Sequence, residues 1–265
     1  MKPHLTATEG HREAGHLFRC WDQVSRRLQT RPDIALFLDF DGTLAPLQLR
    51  PEDVRLDDET RCTLLQLARS PHFQIWIVSG RRRADVRARV RVPGIRYLGL
   101  HGWEGRSGTV ITEDARDAFT CAKSWLSCLM LDVPGVRLED KGITLAIHYR
   151  TVTEEGIHRA RKFVEGVLVP FSDSLQLIRG KRVWEIAPRA LGDKGVAVQA
   201  ELSTTTRTVV PIYVGDDLTD ESAFAALSNG ITICVGPRCR THAHYRLSSV
   251  AQTTRFLQKL EREFA

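Results

Sequence analysis

No stretch of this 265-residue chain approaches the roughly 20 consecutive apolar residues that a membrane span requires, so no such span is expected. No two of the six cysteines (Cys20, Cys62, Cys121, Cys128, Cys234, Cys239) stand in C-x-x-C spacing. Zinc-ribbon and thioredoxin-type readings therefore fail, and scattered single thiols suit a reducing cytosol. From Met1 to Gly15 the chain has charges and histidines but no apolar core of the kind a signal peptide carries. A soluble, cytoplasmic protein is expected. Aromatic residues are sparse at 7%, and no block of like charge exceeds Arg81–Arg83, so the basic, aromatic-laced face of a nucleic-acid binder is missing. There is no internal repeat and no low-complexity segment.

What is present is the composition of an ordinary globular protein, 42% hydrophobic and 26% charged. The length suits one large domain, or a core with a smaller insertion. Lys plus Arg number 38 against 32 Asp plus Glu, a formal charge of +6 that would suit an anionic substrate without establishing one.

A polar leader over residues 1–13 precedes an expected helix from Ala14 to Gln29, which Pro32-Asp33 breaks. The continuous apolar run Ile34–Leu38 reads as a strand buried on both faces, as in a parallel sheet. An expected helix over Asp58–Ala68, a strand over Phe73–Val78, a charged helix from Arg82 to Val90 and a strand at Arg96–Leu100 continue the alternation of a doubly wound α/β sheet. The rhythm then changes. Short strands are expected at Thr109–Ile111, Val136–Glu139, Thr144–Tyr149, Leu175–Ile178 and Trp184–Ala187, with helices over Ala115–Leu131 and Glu154–Val167. This pattern predicts an inserted α+β unit with an antiparallel sheet. The first rhythm returns with helix Lys194–Leu202, strand Pro211–Val214, helix Asp220–Leu227 and strand Ile231–Val235, and a helix from Val250 to Glu261 ends the chain. The fold class expected is α/β: a Rossmann-like, doubly wound core over residues 1–104 and 185–265, and an inserted α+β cap over residues 105–184.

Four segments carry chemistry. Asp39-Phe40-Asp41-Gly42-Thr43-Leu44 follows the first buried strand, and side chains two apart on extended backbone point the same way, so Asp39 and Asp41 face one site. Two such carboxylates repel, and a divalent cation would keep one ionised while the other carries a proton. Asp and Gly also dominate plain turns. Ser79-Gly80-Arg81 ends the strand Phe73–Val78, where a hydroxyl and Gly N–H groups would cradle phosphate, or where Ser79 merely caps a helix. Gly192-Asp193-Lys194-Gly195 opens a helix with a lysine that could place its charge on a phosphate and on Asp39, or simply lie exposed. Gly215-Asp216-Asp217-Leu218-Thr219-Asp220-Glu221 concentrates oxygen donors after the strand Pro211–Val214, as magnesium favours, though Thr219 or Asp220 could be a helix cap. One assembly around a phosphoryl group explains all four.

In order, these segments resemble the four motifs of the haloacid dehalogenase superfamily: Asp39-x-Asp41-Gly42-Thr43, Ser79, Lys194, and Gly215-Asp216-Asp217 with Asp220. The resemblance covers nearly all of the chain from Ile34 to Val235. Within it, Glu139-Asp140-Lys141-Gly142-x-x-Leu145-Ala146-x-His148-Tyr149-Arg150 and Gly180-Lys181-x-x-x-Glu185-Ile186 are similar to cap segments of trehalose-6-phosphate phosphatases, as are Gly99-Leu100-His101-Gly102-Trp103-Glu104 and the stretch Gly215 to Glu221. The resemblance implies a magnesium-dependent phosphomonoesterase acting on trehalose 6-phosphate, the last step of trehalose biosynthesis. By it, Asp39 is the nucleophile that becomes an aspartyl phosphate, Asp41 the acid and base, and Lys194 their electrostatic partner. Asp39, Asp41 (through its carbonyl), Asp216 and Asp217 (through water) hold Mg²⁺. Thr43, Ser79, Gly80, Arg81, His101 and Gly102 contribute to substrate binding on the core, while Glu139, Lys141, Arg150, Lys181 and Glu185 hold the sugar from the cap. The expected partner is a small sugar phosphate, with no nucleic acid and no membrane, and a monomer is expected. The same core would serve a phosphatase for sucrose phosphate or mannosylphosphoglycerate, a phosphomutase, or a non-catalytic sugar-phosphate sensor.

Overall fold

The computed structural model describes residues 14–30, 33–105, 110–237 and 240–265. The expected leader 1–13, Pro32, Thr109 and Cys239 lie outside the described residues. The chain divides into two compact units, Met1–Gly105 with Asp193–Ala265, and Arg106–Gly192.

In the first part of the larger unit, strand β1 (Gly15–His16) and a 3-10 turn lead into helix α1 (Trp21–Gln29), followed by β2 (Asp33–Leu38), α2 (Asp58–Arg69), β3 (Phe73–Val78), α3 (Arg83–Val90) and β4 (Arg96–Leu98). The smaller unit holds α4 (Glu113–Leu129), β5 (Arg137–Asp140), β6 (Leu145–His148), α5 (Glu154–Leu168), β7 (Leu175–Gly180) and β8 (Val183–Pro188). The larger unit then resumes with α6 (Lys194–Ser203), β9 (Val209–Gly215), α7 (Glu221–Ala226), β10 (Ile231–Val235), β11 (Tyr245–Leu247) and α8 (Val250–Phe264). Among the described residues no helix is long and apolar enough to cross a membrane.

The seven strands of the larger unit form one sheet in the order β1-β11-β10-β9-β2-β3-β4, with every pairing parallel. The apolar run of β2 is continuous because both faces of the sheet are covered. Ile34, Leu36 and Leu38 enter one hydrophobic cluster with α2 and α8 residues such as Leu64, Leu67, Phe256 and Leu257. Ala35 and Phe37 enter another with Trp76, Val198 and Phe224, and Phe37 stacks on Trp76 with ring centroids 4.5 Å apart. Burying each such large side chain contributes about 1.5–3 kcal/mol, so a charge on either face of β2 would be strongly destabilising. The chain leaves β2 toward β3 on one side and reaches β9 and β10 on the other. The order of the sheet therefore reverses between β2 and β9, the place where open α/β sheets bind their ligands.

In the smaller unit, four strands pair antiparallel in the order β5-β6-β8-β7. Alternation sorts its side chains. Leu145, Ile147, Trp184 and Ile186 pack with Phe119, Ala122 and Leu126 of α4 and Ala160 and Val164 of α5. The opposite face carries Glu139, Ala146 and Glu185, which lie side by side across β5, β6 and β8. Each helix begins on a threonine cap: Thr112 accepts a bond from Ala115 N, and Thr153 one from Gly156 N.

Three expectations need correction. The helix from Ala14 begins only at Trp21, because Gly15–His16 pairs in parallel with Tyr245–Arg246 of β11, a strand not foreseen in the sequence. Val110 and Ile111 form no strand; Ile111 is buried just ahead of the Thr112 cap. The boundary expected after residue 184 falls inside β8, which hydrogen-bonds to β6 and β7 along its length, so the smaller unit continues to Gly192.

Candidate active site

Asp39 and Asp216 stand one residue beyond the ends of β2 and β9, where Leu38 pairs with Val214. Asp39 N donates to Val214 O at 2.9 Å, which carries the pairing past the strand end and fixes the carboxylate's approach. Gly42 follows with φ +89, and a side chain there would meet Asp216 Oδ2 at 2.3 Å, so only glycine lets the turn after β2 lie against the turn after β9. Thr43 is fully buried in that turn and donates from Oγ1 to Asp216 Oδ1 at 3.4 Å.

Lys194 comes from the first residue of α6, whose cap Asp193 accepts from Val196 N at 3.0 Å. Its Nζ donates to Asp39 Oδ1 and to Asp220 Oδ1, each at 2.7 Å. Burial works against the ammonium charge, but Asp220 and Asp39 more than offset it and hold Lys194 well above its usual value. Asp39, Asp216 and Asp220 are all buried, and their carboxylate oxygens lie within 4.8 Å of one another. Burial, reinforced by Asp220 and Asp216 and opposed by Lys194, pushes the Asp39 carboxyl well above the usual range. One lysine facing three buried carboxylates leaves a surplus of negative charge. An all-oxygen donor set of this kind suits a hard divalent cation.

The acidic groups around this cluster have partners of their own. Asp217 caps the following turn, accepting from Leu218 N at 2.8 Å. The Asp41 carboxylate is held by Arg81. Asp220 lies in the cluster with both oxygens engaged: Oδ1 accepts from Lys194 and from the Tyr213 hydroxyl at 2.7 Å, and Oδ2 accepts from Asp217 N at 2.7 Å. Its geometry is that of an anchor for the lysine.

Ser79 directly follows β3 and is 1% exposed, its Oγ accepting from Arg81 N at 3.1 Å. Arg81 does not present an uncommitted fork to a ligand. Nε and Nη2 bind the two Asp41 oxygens at 2.8 and 2.7 Å, Nη1 binds Asp85 at 2.9 Å, and Nη2 also reaches Pro51 O at 2.7 Å. Burial opposes the guanidinium charge, and its bonds to the Asp41 and Asp85 carboxylates outweigh it, raising Arg81 above its ordinary value. His101 N donates to Ser79 O at 2.9 Å, and its ring covers Gly80, where a side chain would approach His101 Cε1 to 2.9 Å. Leu100 (φ 48) and His101 (φ 58) both take left-handed backbone, a strained pairing of the kind that gathers at functional sites. Gly102 (φ +104) completes that turn directly against Ala197 of α6.

In the smaller unit, Lys141 and Glu185 form a buried pair at 3.1 Å, and Thr144 Oγ1 donates to the second Glu185 oxygen at 2.6 Å. Glu139 bonds His148 Nε2 at 2.8 Å; that bond, opposed by burial and helped by Lys141, keeps the Glu139 carboxyl below its usual value. Arg150 lies two residues beyond β6, and Lys181 occupies the two-residue turn joining β7 to β8. His148 was not singled out by sequence reasoning, although it stands in the segment quoted there. Tyr213 stands in the apolar run Pro211–Val214, whose pattern signals burial alone.

The family model described as Trehalose-phosphatase matches residues 37–251. The chain is 32% identical over 250 residues to the probable trehalose-phosphate phosphatase D of Arabidopsis thaliana, covering 86% of this chain and 67% of that protein. It is 33% identical over 254 residues to trehalose 6-phosphate phosphatase RA3 of Zea mays, covering 86% and 69% respectively. Its fold resembles the C-terminal domain of a C. albicans trehalose-6-phosphate phosphatase, with a TM-score of 0.82 at 20% identity over 96% of this chain and 99% of that one. With the four segments gathered at the β2–β9 switch point, the chain belongs to the trehalose-phosphatase family.

Proposed function

We propose that this chain hydrolyses trehalose 6-phosphate to trehalose and inorganic phosphate, with Asp39 as nucleophile. The observation that carries the assignment of roles is the Lys194 bridge, 2.7 Å from both Asp39 and Asp220, beside the buried Asp216 carboxylate. Asp39 attacks phosphorus as the bond to the sugar oxygen breaks, and Asp41 gives that oxygen its proton. Asp41 then takes a proton from the water that attacks the phosphoryl group, and inorganic phosphate leaves Asp39 free. To do so Asp41 gives up one of its two Arg81 bonds, first for the leaving oxygen and later for water, and is held in place by the other. Thr43, Ser79 and Lys194 hold the phosphoryl oxygens where charge accumulates. Asp39, Asp216 and the Asp41 carbonyl would hold Mg²⁺, with Asp217 acting through water. The ion supplies positive charge against the phosphoryl oxygens.

The larger unit is thus the catalytic core. The smaller unit selects the sugar, through the face that bears Glu139, Lys141 and Glu185, with Arg150 and Lys181 at its ends. Charged groups on one strand face can bond several hydroxyls of a disaccharide at once. The five cysteines among the described residues are all free, which supports a reducing, cytoplasmic setting. Phosphate release from a panel of sugar phosphates, with and without Mg²⁺, tests the proposal. Release from trehalose 6-phosphate only when Mg²⁺ is present is expected; equal release from sucrose 6-phosphate, or none from any substrate, would refute it.

A further inference from the structure

We propose that Tyr213 is a positioning residue for Lys194, setting the lysine against the nucleophile by way of Asp220. The inference rests on the phosphatase reading above and extends its machinery by one residue that touches neither substrate nor metal. Tyr213 lies on the central strand β9, paired with Phe37 of β2, and is fully buried. Its ring meets Phe224 edge-on with centroids 5.7 Å apart, in a cluster otherwise built of side chains such as Ala35, Phe37 and Val198. Phenylalanine would fill that place equally well. A hydroxyl there carries a desolvation penalty and needs a partner, which Asp220 Oδ1 supplies at 2.7 Å.

The direction of that bond is fixed. Burial first, and the Asp220 carboxylate second, hold the phenol well above its usual value, so it keeps its proton and donates. The same oxygen receives Lys194 Nζ at 2.7 Å, and the other Asp220 oxygen accepts Asp217 N at 2.7 Å. Three donors thus divide the Asp220 charge, and the ammonium is left to bridge to Asp39 Oδ1 at 2.7 Å. Without the phenol, Asp220 Oδ1 has one donor fewer and draws the ammonium toward itself. Lys194 then retreats from Asp39 and from the phosphoryl oxygens in the transition state.

The test compares Tyr213→Phe, Asp220→Asn and the double variant with the wild type. In Tyr213→Phe, kcat falls about tenfold on both trehalose 6-phosphate and 4-nitrophenyl phosphate, the rate equivalent of a lost hydrogen bond to a charged group. KM for each substrate stays unchanged. So does the affinity of substrate-free protein for Mn²⁺, read by electron paramagnetic resonance. In the Asp220→Asn background the tyrosine substitution lowers kcat no further, because the two residues act as one unit. Thermal melting followed by circular dichroism checks that the folded fraction is unaltered at the assay temperature. Unchanged kcat in Tyr213→Phe, a loss confined to KM, a weakened Mn²⁺ affinity or an additive double variant each overturns the proposal. A wild type that releases no phosphate sinks the phosphatase reading and this inference together, whereas a wild type active beside an equally active Tyr213→Phe sinks this inference alone.

Discussion

The Arg81 guanidinium grips the Asp41 carboxylate with two parallel bonds, Nε to Oδ2 at 2.8 Å and Nη2 to Oδ1 at 2.7 Å. A third arm reaches Asp85 at 2.9 Å, and Asp85 in turn accepts from Arg89 at 2.8 Å, so the clamp is braced against α3. A lysine keeps the charge but cannot span both carboxylate oxygens and Asp85 together. Arg81→Lys is therefore expected to leave Asp41 poorly placed and to lower kcat about tenfold or more, a loss on the scale of one charge-assisted hydrogen bond. Steady-state phosphate release checks this, and wild-type turnover in the variant would show that the clamp has no part in placing Asp41.

Asp39→Asn keeps the shape of the side chain and removes the proposed nucleophile. Lys194 retains Asp220, 2.7 Å away, so the cluster need not collapse. Turnover should fall by at least about 10³-fold while the melting temperature stays close to that of the wild type. Retention of a few per cent of the activity would move the nucleophile elsewhere.

The raised Asp39 carboxyl would also make the stabilisation by a bound cation depend on pH. The folded protein without metal binds this proton more tightly than the unfolded chain, whose reference value is 3.8. Its stability therefore declines as pH rises above that value through the raised native one. Lys194, raised above 10.5, acts in the same sense but in a higher window: its contribution is fully present throughout that range and is lost only at higher pH. A cation that binds ionised Asp39 should raise the melting temperature more at pH 8 than at pH 5. At a hundredfold excess over Kd the gain is about 2.7 kcal/mol, or about 5–10 °C. Chelation by EDTA should reverse it. An equal Mg²⁺ shift at both pH values would exclude Asp39 from the metal site.

Gly102 brings the Leu100–His101 turn against α6, with an added Cβ only 2.1 Å from Ala197 Cβ and φ at +104. Gly102→Ala is expected to destabilise the protein by about 2–4 kcal/mol, through backbone strain and overpacking together. Because Lys194 sits one turn before Ala197, kcat should fall beyond what the folded fraction explains. Urea unfolding alongside phosphate release separates the two effects.

These relationships differ in how far the sequence discloses them. Ile34–Leu38 was legible because burial on both faces makes a strand continuously apolar, and the four acidic and basic segments were legible because each follows such a strand or opens a helix. Tyr245–Leu247 was not, since three residues with Arg246 in the middle have no periodicity; their strand character comes from pairing with β10 and β1. For the same reason Gly15–His16 read as the start of a helix. Arg81 looked like part of a phosphate cradle because its partner Asp41 lies forty residues away, and Tyr213 looked like core because its single polar atom finds Asp220 only across the turn after β9. Local pattern reveals burial and strand ends; it does not reveal which charged groups satisfy one another.

The smaller unit offers two ways to test sugar recognition, and burial decides which is informative. Lys141 and Glu185 are 8% and 6% exposed in their side chains, so Lys141→Ala strands a buried carboxylate and should cost about 3–5 kcal/mol of that unit's stability. Any loss of trehalose 6-phosphate turnover would then mix recognition with unfolding. Glu139 is 46% exposed and held chiefly by His148, so Glu139→Gln keeps a hydrogen-bonding group of the same size and leaves the sheet intact. It should raise KM for trehalose 6-phosphate about tenfold, by weakening bonds between a charged acceptor and sugar hydroxyls, and leave 4-nitrophenyl phosphate unaffected. Parallel losses on both substrates would mean that this face supports the fold of the smaller unit and does not read the sugar.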